Sequence, residues 1–280
     1  MPVVVGTDGS AHAERAVAWA ADEAALRGLP LRIVHALARW GKDMPVRPPR
    51  DAEEALPTVG QRLLDEAQEQ ARERHPDLAV TTELLRESMP FALRDQAGGA
   101  FEIVLGHRGL GGFRSLLLGS TALRVAGRAE GPVVIVRGRV LPAYGEITLG
   151  VDPFEDQTAS LEYAFEAAAV RGVRLRAVHA FQLAAPDDPA VTADDVAAVA
   201  REELAKALAP FTGRFPRVEV VQQVVQDHPV NALVDLSENT DLLVLGAHGH
   251  TALGGLLLGA ISHGVLHHAH CPIAIVRPRS

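Results

Sequence analysis

The chain reads as an α/β protein built twice, and three observations carry that reading. The first is a repeated glycine pattern. Val104-Leu105-Gly106-His107-Arg108-Gly109 is followed by nine residues and then Gly119-Ser120-Thr121. Val244-Leu245-Gly246-Ala247-His248-Gly249 is followed by nine residues and then Gly259-Ala260-Ile261-Ser262. The second is the extent of the repeat. Val5-Gly6-Thr7-Asp8 matches Leu149-Gly150-Val151-Asp152, Val34-His35-Ala36 matches Val178-His179-Ala180, and the apolar run 132–137 matches 272–277. Solenoid units are much shorter than this, so the repeat is a duplicated domain. The third is alternation: short apolar runs that stop at glycines alternate with longer Ala-rich or amphipathic segments. Such alternation implies parallel strands joined by right-handed helical crossovers.

Each element has its local reason. Residues 2–7 form an apolar strand, and Ser10 stands at the N-cap position of an Ala-rich helix that ends near Arg27, before Gly28. Residues 31–37 are the second strand. A helix is expected from about Val59 to Arg74, with Leu63, Leu64, Ala67 and Ala71 on one face. The third strand covers about 79–85, a short helix follows Pro90, and the fourth strand is 101–105. A helix from about Ser120 to Arg128 leads to the fifth strand at 133–137. The second half repeats the series, with its long helix at 192–208. The seam lies in 138–145, whose Gly and Pro residues interrupt regular structure. This gives domains 1–139 and 145–280 with a linker at 140–144.

Composition sets outer bounds. A hydrophobic fraction of 48% suffices for two cores, and no apolar run approaches the roughly 20 residues of a membrane span. A net charge of -8 argues against general nucleic-acid binding, which calls for a basic face. The single cysteine, Cys271, excludes an intrachain disulfide and suits a reducing compartment. The opening Met1-Pro2-Val3-Val4-Val5 carries no basic leader, so a cytoplasmic setting is expected, with no membrane partner.

Ligands of parallel α/β sheets bind beyond the carboxyl ends of the strands. The Asp8 turn, the His35 region and the Gly106 loop all fall at such ends. Glycines at 106, 109 and 119 let backbone N–H groups approach an anion closely, and Ser120 and Thr121 add hydroxyl donors at the start of a helix. Asp8 can accept from a ribose hydroxyl or an exocyclic amine. The plainer alternative is that the glycines only make turns and Asp8 only caps a helix. His35 and His179, lone histidines in apolar strands, read as structural. The repetition of the loop at matched positions favours a site.

These motifs resemble the universal stress protein family, and the chain is similar to a tandem member with two fused domains. The resemblance covers essentially the whole chain. Its most specific element is the loop Gly-x2-Gly-x9-Gly-[Ser/Thr], which Gly106, Gly109, Gly119 and Ser120 satisfy in full. The implied fold is Rossmann-like (adenine nucleotide alpha hydrolase-like): two domains, each a five-stranded parallel sheet of order 3-2-1-4-5 flanked by helices. The implied ligand is ATP, with or without Mg. Carried onto this sequence, Asp8 and the backbone of Ala36 hold adenine, with Gly6 and Thr7 beside them. Leu105, Gly106, Arg108, Gly109, Gly119, Ser120 and Thr121 hold ribose and phosphates. The corresponding second-half set is Gly150, Val151, Asp152, Ala180, Leu245, Gly246, His248, Gly249, Gly259, Ala260, Ile261 and Ser262. The implied role is a nucleotide-dependent regulatory protein of the stress response. No catalytic residue is assigned, since no water-activating base and magnesium-binding carboxylate pair is evident near the loop. A slow ATPase, a non-nucleotide interaction module and a dinucleotide redox protein are the competing classes.

The second half departs from the loop pattern. Ala260 removes a hydroxyl donor, Pro153 stands where the first half has Gly9, and Ser262 offers a compensating hydroxyl. Nucleotide is expected in both halves, with the first the more complete site. His248-Gly249-His250-Thr251 resembles a nucleotidyltransferase motif, but it follows a fourth strand rather than a first. His263, His267, His268, His270 and Cys271 crowd one helix end without a carboxylate, so no metal site is assigned. Each half ends in an apolar strand that a lone domain would leave as an open edge. The expectation is an intrachain pseudo-dimer in which 133–137 pairs antiparallel with 273–277, a homodimer being the further option.

Overall fold

The computed structural model describes residues 1–37, 49–110, 117–138, 143–183, 192–247 and 258–279. The chain divides into two compact units, Met1–Arg137 with Arg279–Ser280, and Gly138–Pro278. Part of the expected seam, 139–142, and the His248–Thr251 motif lie outside the described residues.

The first unit runs β1 (Val3–Gly6), α1 (Ala11–Arg27), β2 (Leu31–Ala36), α2 (Arg50–Arg74), β3 (Val80–Leu85), α3 (Met89–Ala97), β4 (Glu102–Gly106), α4 (Ser120–Ala126) and β5 (Gly131–Val136). All four pairings are parallel and give the order β3-β2-β1-β4-β5. The central strand β1 is buried on both faces, with Val3, Val4 and Val5 inaccessible. That is why it reads as a continuous apolar run rather than an alternating one. Ser10 caps α1 as its sequence position suggests, its hydroxyl accepting from Ala13 N at 3.2 Å. Gly28 ends α1 in the left-handed region at φ 64°, a conformation that costs glycine little.

The second unit runs β6 (Glu146–Gly150), α5 (Thr158–Arg171), β7 (Arg174–Phe181), α6 (Ala193–Arg214), β8 (Val220–Gln226), α7 (Pro229–Leu236), a 3₁₀ turn at Ser237–Asn239, β9 (Leu242–Gly246), α8 (Ala260–His268) and β10 (Ile273–Arg277). Its parallel order, β8-β7-β6-β9-β10, repeats that of the first unit. Thr192 caps α6 through a reciprocal pair of bonds with Asp195. Glu146, buried at the start of β6, is held by Arg174 and Arg176 from the neighbouring strand.

Three elements differ in extent from the sequence expectation. Helix α2 begins at Arg50 rather than near Val59 and carries Pro57 inside it. Helix α6 passes through Pro210 to Arg214 instead of stopping at Leu208. Proline removes an interior helical hydrogen bond and usually marks a boundary. Here both helices are long enough, 25 and 22 residues, to carry the defect. Helix α4 ends at Ala126, short of Arg128, because Gly127 caps it. Among the described residues no helix is long and apolar enough to cross a membrane.

The second core is anchored by Phe165 of α5, fully buried, its ring stacked on Phe211 at 5.5 Å and Phe215 at 5.7 Å at the end of α6. Phe165→Ala is expected to cost the second unit about 3–5 kcal/mol. Denaturant titration of the full chain checks this, and a loss below about 1 kcal/mol would contradict that role.

Candidate functional site

The carboxyl edge of the first sheet is assembled from three segments. Strand β1 gives way to Gly6-Thr7-Asp8-Gly9-Ser10. Gly9, at φ 75°, turns the chain, and a Cβ there would meet Leu63 at 2.5 Å. The Nδ1–H of His35, from the end of β2, donates to the carbonyl of Thr7 at 2.8 Å. That bond fixes the tautomer and holds the turn that carries Asp8. The Asp8 carboxylate accepts from Ser10 N at 3.0 Å through one oxygen and from Leu110 N at 2.8 Å through the other.

The glycine loop closes on itself. Gly119 N donates to His107 O at 2.7 Å, so the segment leaves and returns at one point. Val136 O accepts both His107 N at 3.1 Å and His107 Nδ1 at 3.2 Å, tying the loop to β5. The glycines are there for close approach. A Cβ on Gly106 would lie 2.6 Å from the backbone oxygen of His12, and one on Gly109 would lie 2.3 Å from the Asp8 carboxylate.

These segments enclose a cavity of about 330 Å³. Gly6, Thr7, Asp8, Ala36, Leu105, Gly106, Arg108, Gly109, Gly119, Ser120 and Thr121 all line it, so the structure brings the whole first-half set together. Sequence reasoning missed Ala13, Met89, Leu118 and Ala122, apolar positions that carry no motif, and it set His35 aside as structural. His35 proves to be both: its bond to Thr7 O builds the turn, and its side chain lines the wall. Asp8 likewise has two parts, since it organises the turn and the loop as well as facing the cavity.

The second unit repeats the frame. His179 Nδ1 donates to Val151 O at 3.0 Å, and Gly259 N closes its loop on Ala247 O at 2.9 Å. A cavity of about 570 Å³ is lined by Gly150, Val151, Asp152, Ala180, Leu245, Gly246, Gly259, Ala260, Ile261 and Ser262, together with the unforeseen Gln157, Phe181, Gln182, Pro229 and Leu233. The expected His248 and Gly249 lie outside the described residues. Ser262, the residue expected to compensate for Ala260, lines this cavity. Ser262 is 5% exposed, and its hydroxyl donates inward to Gly246 O at 2.7 Å.

Beside the first loop, the rings of His12 and His107 lie 4.2 Å apart, edge to face. Burial pushes the His107 imidazole down to about 4, and the adjacent His12 adds to the effect. Burial also lowers His12, with Arg15 and Arg108 acting in the same direction and Asp8 opposing them. Both rings are therefore neutral at pH 7. At the other histidine cluster, the His263 and His267 rings sit 4.8 Å apart on α8. Among the described residues no group of three or more His, Cys, Asp or Glu gathers as a metal site.

The family model described as the universal stress protein family matches residues 1–137 and again 143–277. A universal stress protein of Mycolicibacterium smegmatis is 33% identical over 287 residues, covering 99% of this chain and 97% of the relative. One from Mycobacterium tuberculosis strain H37Rv is 32% identical, covering 98% of this chain and 96% of its own length. Among solved structures, a universal stress protein from Archaeoglobus fulgidus superposes with a TM-score of 0.73 at 16% identity, over 99% of this chain and 96% of that one.

A depressed histidine pKa favours the neutral, folded state. Its contribution is complete above the ordinary value of 6.5 and is lost progressively as pH falls toward about 4. Thermal melting at pH 7.5, 5.5 and 4.5 is expected to show the unmodified chain losing more stability than His107→Gln. Parallel pH profiles for the two would refute the assignment.

Proposed function

The chain belongs to the universal stress protein family, and we propose that its first unit is an ATP-binding regulatory module of stress physiology. The observation that carries this reading is the convergence of all eleven first-half residues on one cavity at the carboxyl edge of the sheet. Asp8 and the Ala36 backbone hold the base; Gly106, Arg108, Gly109, Gly119, Ser120 and Thr121 hold ribose and phosphates. The chemistry fits. The cavity of about 330 Å³ is at the small end of ligand sites, so the base and sugar fill it and the phosphates extend along the glycine loop. Arg108 contributes the cationic side chain of the lining, and Ser120 and Thr121 contribute neutral donors. A magnesium ion accompanying the phosphates would find Asp8 as the lone carboxylate of the described lining to hold it, and would supply charge neutralisation there.

Occupancy, rather than turnover, is the signal in this reading. Asp8 is the lone carboxylate of the described lining, and its hydrogen bonds hold it as a fixed structural acceptor. A dedicated ATPase supplies a water-positioning group and metal-binding carboxylates in addition to phosphate donors. The single, buried Cys271 suits a reducing cytoplasm.

Gly119→Val tests the site. A Cβ on Gly119 already comes within 3.3 Å of His107 O and 3.4 Å of Arg108 Cα, and the branched side chain displaces the loop further. Calorimetry is expected to show at least tenfold weaker ATP binding to the first unit. Unchanged affinity would overturn the assignment of the glycine loop as the phosphate site. Phosphate release should stay below about 1 s⁻¹, under the ordinary range of enzymes; sustained faster release would make the protein an ATPase.

A further inference from the structure

The two cavities share a backbone frame but differ in the chemistry that meets a phosphate. We propose that the second unit's cavity takes an uncharged, planar nucleoside-class ligand and discriminates against its phosphorylated forms. The assignment rests on the nucleotide reading of the shared sheet edge, and four observations carry it beyond that reading.

The base-facing frame is intact. Val151 N donates to Val178 O at 2.8 Å, and His179 donates back to Val151 O at 3.0 Å, as Thr7 and His35 do in the first unit. Asp152 and Ala180 stand on this cavity's wall where Asp8 and Ala36 stand on the other.

The phosphate-facing hydroxyls are gone. Ala260 and Ile261 occupy the places of Ser120 and Thr121, and the Ser262 hydroxyl spends its proton on Gly246 O. Each neutral hydrogen bond so lost weakens binding by up to about tenfold.

The charge is also wrong for a polyphosphate. Asp152 is the lone carboxylate of the described lining, and neither Lys nor Arg accompanies it. From Ala247 through Val276 the sequence holds no Lys or Arg at all, whereas the matching stretch of the first half carries Arg108, Arg114, Arg124 and Arg128. The described lining therefore offers a polyphosphate no counterpart of Arg108.

What replaces the donors is flat and apolar. His179 and Phe181, two residues apart on β7, set their rings within 10° of parallel with centroids 6.4 Å apart. Phe154, outside the described lining, packs edge-on against His179 at 6.0 Å, and Ile261, on the wall, is 41% exposed. The first unit has Leu37, Ser10 and Thr121 at the positions of Phe181, Phe154 and Ile261. The second cavity, at about 570 Å³ against 330 Å³, has room for a base and sugar beside this wall. Bases stack on aromatic rings with little dependence on their identity, so the wall selects a planar heterocycle and the missing donors select against its phosphates.

The test uses the full chain with the first site disabled by Gly119→Val, titrated calorimetrically with adenosine and with ATP. Adenosine is expected to bind the second unit, with ATP at least tenfold weaker there. In the same background Phe181→Ala should weaken adenosine about tenfold, and melting curves identify the variant if it fails to fold. A second variant, Ala260→Ser with Ile261→Thr, restores the hydroxyls and should raise ATP affinity by about tenfold or more. Equal binding of ATP and adenosine to Gly119→Val, or no adenosine binding, overturns the proposal while leaving ATP binding by the unmodified chain intact. Failure of the unmodified chain to bind ATP overturns the nucleotide reading instead, and that outcome would be seen before any variant is made.

Discussion

One hydrogen bond, made once in each unit, holds the edge on which everything else is built. A histidine near the end of the second strand donates to the carbonyl that follows the first strand: His35 to Thr7 O at 2.8 Å and His179 to Val151 O at 3.0 Å. That carbonyl lies past the last ladder bond of β1, where a parallel sheet has no further strand partner to offer. A polar group left unsatisfied there costs about 1–3 kcal/mol. The imidazole satisfies it and, by fixing its own tautomer, sets the direction in which the turn leaves the sheet. In the first unit the Asp that follows points to the glycine loop, and the loop folds back onto it through Leu110 N. Remove the histidine and the Asp, the turn and the loop lose their common reference.

Much of this was legible in the residues. The strands announced themselves as apolar runs because parallel strands are buried on both faces, and the glycine spacing located the loop because its backbone must pass within contact of other backbone. Gly106 shows why: the nearest atom to its missing Cβ is the His12 carbonyl oxygen, which no side-chain rotation can move. What could not be read were contacts with no spacing rule. Met89 and Pro229 reach the cavities from α3 and α7, and nothing in their neighbourhood of sequence marks them. Nor could the sequence reveal that Ser262 turns its hydroxyl inward, because a serine in that place is equally compatible with either rotamer. Helices α2 and α6 also run through Pro57 and Pro210, ordinary stop signals overridden here by the packing of long helices.

The two halves separate the requirements of the fold from those of the ligand. Bonds that define the frame are backbone bonds or the histidine clasp, and both units keep them. In the first, Gly119 N closes on His107 O; in the second, Gly259 N closes on Ala247 O. Several positions that differ have side chains that meet the cavity without supporting the frame. Ser120 and Ala260 are both exposed, so exchanging one for the other disturbs no packing. A duplicated domain can therefore change what it binds through side chains worth about one hydrogen bond each, while the sheet beneath remains the same.

That separation also explains why the first loop tolerates a dense positive neighbourhood. His12, Arg15, His107 and Arg108 crowd one corner, and full ionisation of all four would push the loop away from α1. Burial keeps the two imidazoles neutral, and Arg15 donates to His12 Nδ1, which can accept only in that neutral state. Arg108 can then face the cavity with its charge while its histidine neighbours add packing and no repulsion. The second unit has Ala247 where the first has His107 and no arginine at the matching loop position, so it lacks both the charge and the need to manage it. The cationic corner and the hydroxyl pair thus occur together in one unit and are absent together from the other, as expected if both answer to the same anionic ligand.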